Sequence, residues 1–144
     1  MVRTADPTVP AFSHGVSVPA TARTVYVGGQ NATDADGVLV GENDLFAQTV
    51  KTLENLQAVL EDADATLHDV VKWSVLVIEG QSAMDGLRAF GSVWGNHPNP
   101  PAITVAFVSG LAIPGALVEI EAVAVVEAKV GSAMRTEYVD GWMQ

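Results

Sequence analysis

Apolar residues recur at three- and four-residue steps through Phe46, Val50, Leu53, Leu56, Leu60 and Ala63, with Lys51, Glu54, Asn55, Gln57, Glu61 and Asp62 between them. Side chains at that spacing share one face of an α-helix, so the stretch predicts an amphipathic helix with one buried stripe. Asn43 or Asp44 stands at its N-cap, and Glu42 and Asp44 suit the positive end of its dipole. A second helix is predicted over 82–94. Ser82 and Asp85 have capping-box spacing, and Met84, Leu87, Gly91 and Trp94 form its inner stripe. Gly95 and the prolines at 98, 100 and 101 end it.

Elsewhere the period is two, or absent. Residues 23–29 (Arg-Thr-Val-Tyr-Val-Gly-Gly) read as a β-branched and aromatic strand that ends in glycines, and 15–19 as a short strand before it. Asn31, Asp34, Asp36, Gly37 and Gly41 mark a loop. Residues 70–78 are apolar but for Lys72 and Ser74, which suits a central strand, and 102–108 and 117–126 supply the last two strands. The order is strand-strand-helix-strand, then helix-strand-strand. That pattern predicts a two-layer α+β plate with 70–78 and 118–126 in mid-sheet and both helices on one face. The second face has no helix left to cover it, which predicts self-association.

The last strand holds an apparent contradiction. Val118, Ile120, Ala122, Ala124 and Val126 form a wholly apolar face, yet Glu119 and Glu121 share the other face with Leu117, Val123 and Val125. An unpaired buried carboxylate costs several kcal/mol or takes up a proton. Both acids must therefore reach water or sit in a pocket that uses them.

Composition narrows the classes. The chain has 144 residues, 49% of them hydrophobic, with mean hydropathy +0.27. That fits one domain with apolar surface to spare, as in an oligomer whose interface resembles a core. Net charge is −10, from 17 acidic and 7 basic residues, and the basic residues are scattered. Nucleic acid and anionic membrane surfaces are excluded as partners, because both require a basic footprint. No stretch reaches the ~20 apolar residues of a membrane helix. The start, Met-Val-Arg-Thr-Ala-Asp, lacks the pattern of a signal peptide, so a cytoplasmic protein is expected. There is no cysteine, and His14, His68 and His97 have no metal-ligand spacing.

Several motifs coincide along the chain. Phe12-Ser13-His14-Gly15-Val16 precedes a strand ending Val27-Gly28-Gly29-Gln30; the first helix carries Gln48, Thr49, Leu53, Asn55 and Leu56; Val70-Val71-Lys72-Trp73-Ser74-Val75 follows. Pro101-Ala102 and Val118-Glu119-Ile120-Glu121-Ala122 complete the set. Together they resemble the RidA/YjgF family, over roughly residues 11–126. Residues 1–10 are then an N-terminal arm and 127–144 a C-terminal tail.

The resemblance implies a chorismate-mutase-like two-layer fold, with a mostly antiparallel sheet and two helices on one face. It also implies a homotrimeric barrel with small-molecule pockets between subunits. The best-known members hydrolyse enamine and imine intermediates such as 2-iminopropanoate and 2-iminobutanoate to 2-keto acids and ammonia, with no cofactor and no metal. Carried over, Glu119 is the catalytic acid that orients the attacking water. Gly29 offers its backbone N–H to the substrate carboxylate, and Phe12 is the aromatic wall. His14 lies on the same arm and is a candidate donor to a ligand, with an ordinary surface imidazole as the plainer alternative. Glu121 points the same way as Glu119 and serves equally well as a structural acid.

The substrate-binding positions depart from the family. Ile103 stands where an arginine clamps the carboxylate, and Val105 where cysteine is common. Gly28 replaces a serine, and Leu87 an asparagine on the second helix. A guanidinium–carboxylate pair is the strongest small-anion clamp a protein offers, and Ile103 offers none. Arg88 is the nearest alternative cation in sequence. The expected substrate is thus a C=N compound other than a 2-imino acid. The rival expectation is a non-catalytic trimer that binds a small molecule or a protein. A ribonuclease, a label some relatives carry, is disfavoured by charge.

Overall fold

A computed structural model describes residues 12–127 and 136–140. Six strands and two helices occur there: β1 (Ser13–Ser17), β2 (Arg23–Gln30), α1 (Leu45–Asp62), β3 (Val70–Ile78), α2 (Ala83–Trp94), β4 (Ala102–Val108), β5 (Val118–Val126) and β6 (Glu137–Asp140). The strands form one sheet in the order β2-β5-β3-β4-β1-β6. β2–β5, β3–β5 and β1–β6 pair antiparallel, whereas β3–β4 and β1–β4 pair parallel. The sheet is mixed and mostly antiparallel, with β5 and β3 inside it as their apolar runs required.

Both helices lie on one face. α1 presents Leu53, Leu56 and Leu60, all fully buried, to a core with Trp73, Val118, Ile120, Ala122 and Ala124. Trp73 meets Phe90 of α2 edge-on at 5.5 Å, and Phe90 stacks on Trp94 at 5.9 Å. The caps behave as the local sequence requires. Asp44 Oδ1 accepts from Ala47 N at 3.0 Å, and Ser82 caps α2. Asn43 is the residue before the cap, at φ 59°, not the cap itself. Arg23 donates to the Ala63 and Asp64 carbonyls (2.8 and 3.2 Å), placing a cation at the negative end of α1.

Several expectations need correction. Phe46 is 42% exposed, because the buried face of α1 is turned toward Leu45, Gln48, Thr49 and Thr52. Gln48 and Thr49 fill core positions with side chains that bond backbone groups, and Thr52 is buried one turn on, so apolar residues alone phase the stripe one residue away at its start. In α2, Met84 is exposed, and Ala89 and Phe90 join Trp94 inside. The first strand begins at Ser13, not residue 15, since Ser13 N and Oγ donate to the Pro101 and Pro100 carbonyls (3.0 and 2.6 Å). Residues 137–140, expected as tail, form β6 along the free side of β1. Arg135 and Trp142 lie outside the described residues, as do residues 1–10.

Candidate functional site

Four of the residues singled out in the sequence, Phe12, Leu87, Ile103 and Val105, meet in one apolar cavity of about 490 Å³ on the helix side of the sheet. Alternation along β4 turns Ile103, Val105 and Phe107 to this side, and β3 adds Val75 and Val77. α2 contributes Leu87 and Phe90, and Phe12 closes one end. α2 covers this part of the sheet incompletely. Phe12, Val105 and Phe107 stay 38, 50 and 52% exposed, an apolar rim open to whatever lies beyond it. Thr49 is the polar side chain in the lining, and its hydroxyl is already engaged with the Leu45 carbonyl at 2.8 Å.

Glu119 and Gly29 lie on the other face. β5 sends Val118 and Ile120 into the core and Glu119 and Glu121 to the uncovered side, opposite Leu76 and Ser74 of β3. β2 runs three residues from Val27 to Gln30 while β5 runs two from Ala122 to Ile120, so Gly28-Gly29 form a bulge beside the acids. A Cβ on Gly29 would fall 2.7 Å from Glu119 Oε2 and 2.9 Å from its Cδ. A side chain at position 29 would thus displace the Glu119 carboxylate, whereas at Gly28 a Cβ would meet nothing within 4 Å. Glu119 is half-buried, and Glu121 is exposed above a hollow of about 230 Å³ shared with Tyr26, Lys72 and Ser74.

This contact gives a direct test. Gly29→Ala has no backbone strain to overcome and meets only the flexible end of Glu119. The expected result is a melting temperature within a few degrees of wild type and a displaced carboxylate. Crystallography of the variant, or loss of any Glu119-dependent activity with fold retained, checks it.

The sheet itself therefore separates the two groups of residues. Within one chain, Phe12, Ile103 and Val105 adjoin one another, and Gly29 adjoins Glu119, but the groups face opposite ways. His14 is exposed, edge-on to Phe12 at 5.5 Å, and lies outside the cavity lining. Phe107 and Leu45 line the cavity and were not singled out beforehand; the two-residue step from Ile103 and Val105 was the available signal for Phe107.

The described cations are committed elsewhere. Arg88 pairs with Asp85 on α2, Lys51 with Glu54, and Lys72 Nζ donates to Thr104 Oγ1 at 2.6 Å. Arg88 is absent from the cavity lining. Among the described residues, no group of three His, Asp or Glu side chains converges as a metal site. His68 and His97 stack at 4.1 Å beside Trp94. Burial, then the neighbouring His68, holds the His97 imidazole below its ordinary pKa. No helix among the described residues is long and apolar enough to cross a membrane.

The profile of the family described as Endoribonuclease L-PSP matches residues 4–126. The chain is 31% identical over 100 residues to a RutC family protein of Pyrococcus abyssi, covering 69% of this chain and 76% of that one. Its fold is similar to the crystal structure of YyfB, a protein of unknown function of the Rid family from Yersinia pestis. The TM-score is 0.70 and identity 38%, over 80% of this chain and 86% of that one. It is also similar to RidA from an Antarctic Psychrobacter species, with a TM-score of 0.64 and 26% identity over 84% of this chain and all of that one. The matched span holds both helices, five of the six strands and every candidate site residue, and on that ground the chain belongs to the RidA/YjgF family.

Proposed function

We propose that the chain works as a homotrimer in which the apolar cavity of one copy meets Glu119 and Gly29 of the next, and that this cleft hydrolyses the C=N bond of a small metabolite lacking a carboxylate. The observation that carries this is the division of the site by the sheet. Two half-sites that cannot meet within a chain are completed by a second copy, and closed cyclic assembly makes each cleft equivalent. The half-exposed rim of Phe12, Val105 and Phe107 supports the same assembly, since exposed apolar surface of this kind marks interfaces.

The chemistry follows from Glu119. Its carboxylate accepts a proton from water as the water oxygen bonds to the imine carbon. The C=N π pair moves to nitrogen, which takes the proton back from Glu119. Glu119 then accepts the hydroxyl proton of the carbinolamine as the carbonyl forms and passes it to the departing nitrogen, which leaves as ammonia. One water is consumed for each ammonia released. No cofactor enters this balance.

Among the described residues no cation lines the cavity, which supports a substrate without a carboxylate. Moving a carboxylate into an apolar hollow without a partner costs several kcal/mol, which no described side chain offsets. RNA is disfavoured more strongly, since a chain of net charge −10 repels phosphates. A second reading, a binder without turnover, is favoured by one observation: the lining offers no free polar side chain to orient a reacting group.

The test combines mass and turnover. Sedimentation equilibrium is expected to give three chains per particle. Ammonia release from an aliphatic imine made in situ by amine oxidation should exceed the uncatalysed rate, and Glu119→Gln should lower it by about 100-fold. A monomer overturns the proposal. A trimer that responds to apolar ligands in thermal shift, yet leaves imine hydrolysis at the background rate, establishes the binder instead.

A further inference from the structure

The matched family region ends at Val126, yet β6 lies beyond it and completes the sheet. Its position is consequential for the cleft. β1 pairs with β4 at a single register position, Ser13 with Ala102, and from there on its backbone runs beside β6 alone. Ser13, Gly15, Val16 and Ser17 are opposed by Asp140, Val139, Tyr138 and Glu137. Phe12, immediately before β1, forms one end of the apolar cavity.

Two features show β6 held rather than merely adjacent. The Glu127 carboxylate accepts from the amide of Thr136, the residue before β6. Tyr138 is half-buried opposite Val16, and burial, together with the charges of Asp69 and Glu127, pushes its hydroxyl pKa up. An edge strand such as β1, anchored at one residue, would fray without a partner. Its first side chains would then sample several positions, and a cavity wall that moves selects poorly among ligands.

We propose that β6 is a specificity element of the cleft: by pairing along β1 it holds Phe12 in the cavity wall and thereby sets the width available to a ligand. The proposal rests on the cleft described above, but not on its catalysing any reaction. Phe12 contacts the ligand; Tyr138 and the β6 backbone act through it as positioning groups.

The test ends the chain after Glu127, with Tyr138→Ala in the full chain as a milder variant. 4-Fluorophenylalanine placed at position 12, and separately at the core position 90, reports each ring by fluorine NMR. The expected result is a shifted Phe12 line and an unchanged Phe90 line, with as many chains per particle as in wild type. Binding of the neutral apolar probe Nile red should weaken about fivefold, roughly 1 kcal/mol. In a Phe12→Ala background the same truncation should change binding less than about twofold, because coupled positions are not additive.

An unmoved Phe12 line overturns the proposal, as does equal weakening of binding in both backgrounds. Movement of the Phe90 line together with a lowered melting temperature in both variants also overturns it, since β6 would then serve only the fold. A wild type that takes up no Nile red removes the apolar cleft and its specificity element together. A wild type that binds the probe but hydrolyses no imine removes only the proposed reaction.

Discussion

Ile103→Arg is expected to create turnover of 2-iminobutanoate in a protein that otherwise has little or none. Ile103 is half-buried on β4, beside the exposed Val105 and Phe107, so a guanidinium there reaches water when no ligand is bound. With a carboxylate present, two parallel charge-assisted hydrogen bonds contribute about 3 kcal/mol, on the order of 100-fold in affinity. Asp85, the nearest acid on α2, is already paired with Arg88 and does not compete for the new cation. Ammonia release from freshly generated 2-iminobutanoate measures the gain. Glu119→Ala on top of Ile103→Arg should abolish it, because the water then has no base. Wild-type activity on this substrate comparable to the variant's would contradict the role assigned to the missing clamp.

Gln48→Leu is expected to lower stability by about 3 kcal/mol, a fall in melting temperature of roughly 10 °C for a domain of this size. Gln48 is fully buried on α1 and uses its whole amide. Nε2 donates to the Gly41 and Gly115 carbonyls, both at 3.1 Å, and Oε1 accepts from Leu117 N at 2.8 Å. Leucine fills the space but leaves the Gly115 carbonyl and the Leu117 amide without this partner, while the Gly41 carbonyl keeps only the Asp44 amide. Gln48→Glu keeps the shape, loses both donors and sets a carboxylate against two carbonyl oxygens; it should be at least as damaging. The position also matters to the site, since Leu117 opens the segment that carries Glu119 two residues later. Thermal denaturation followed by circular dichroism reads both variants. A loss below about 1 kcal/mol would mean that water replaces the amide without penalty.

Gly29 and Glu119 stay in contact on one face of the sheet, whereas Ile103, Val105 and Leu87 present hydrocarbon on the other.

The elements were legible because each rests on local physics. Period 3.6 marked α1, apolar runs marked β3 and β5, Asp44 and Ser82 marked the helix starts, and alternation put Glu119 and Glu121 on one side. Where a polar residue took a core position, the signal failed. Gln48 is buried because backbone groups distant in sequence need its amide, and Thr49 because its hydroxyl turns back to the Leu45 carbonyl, so the apolar pattern points to Phe46 instead. β6 was illegible for a related reason. Four residues carry little strand signal, and β1, which pairs with them, is more than a hundred positions away.

The amino-acid sequence by itself determined the family and the two-layer α+β class, and it put Glu119 and Glu121 on one side of the last long strand. Only the tertiary structure decided that Phe12, Ile103 and Val105 share a cavity, that Gly29 must yield space to Glu119, and that a sheet stands between these two groups. Periodicity reports which side of its own element a residue faces. Which of those sides meet depends on strand pairing between distant segments, where closure entropy, hydrogen-bond register and packing are settled together.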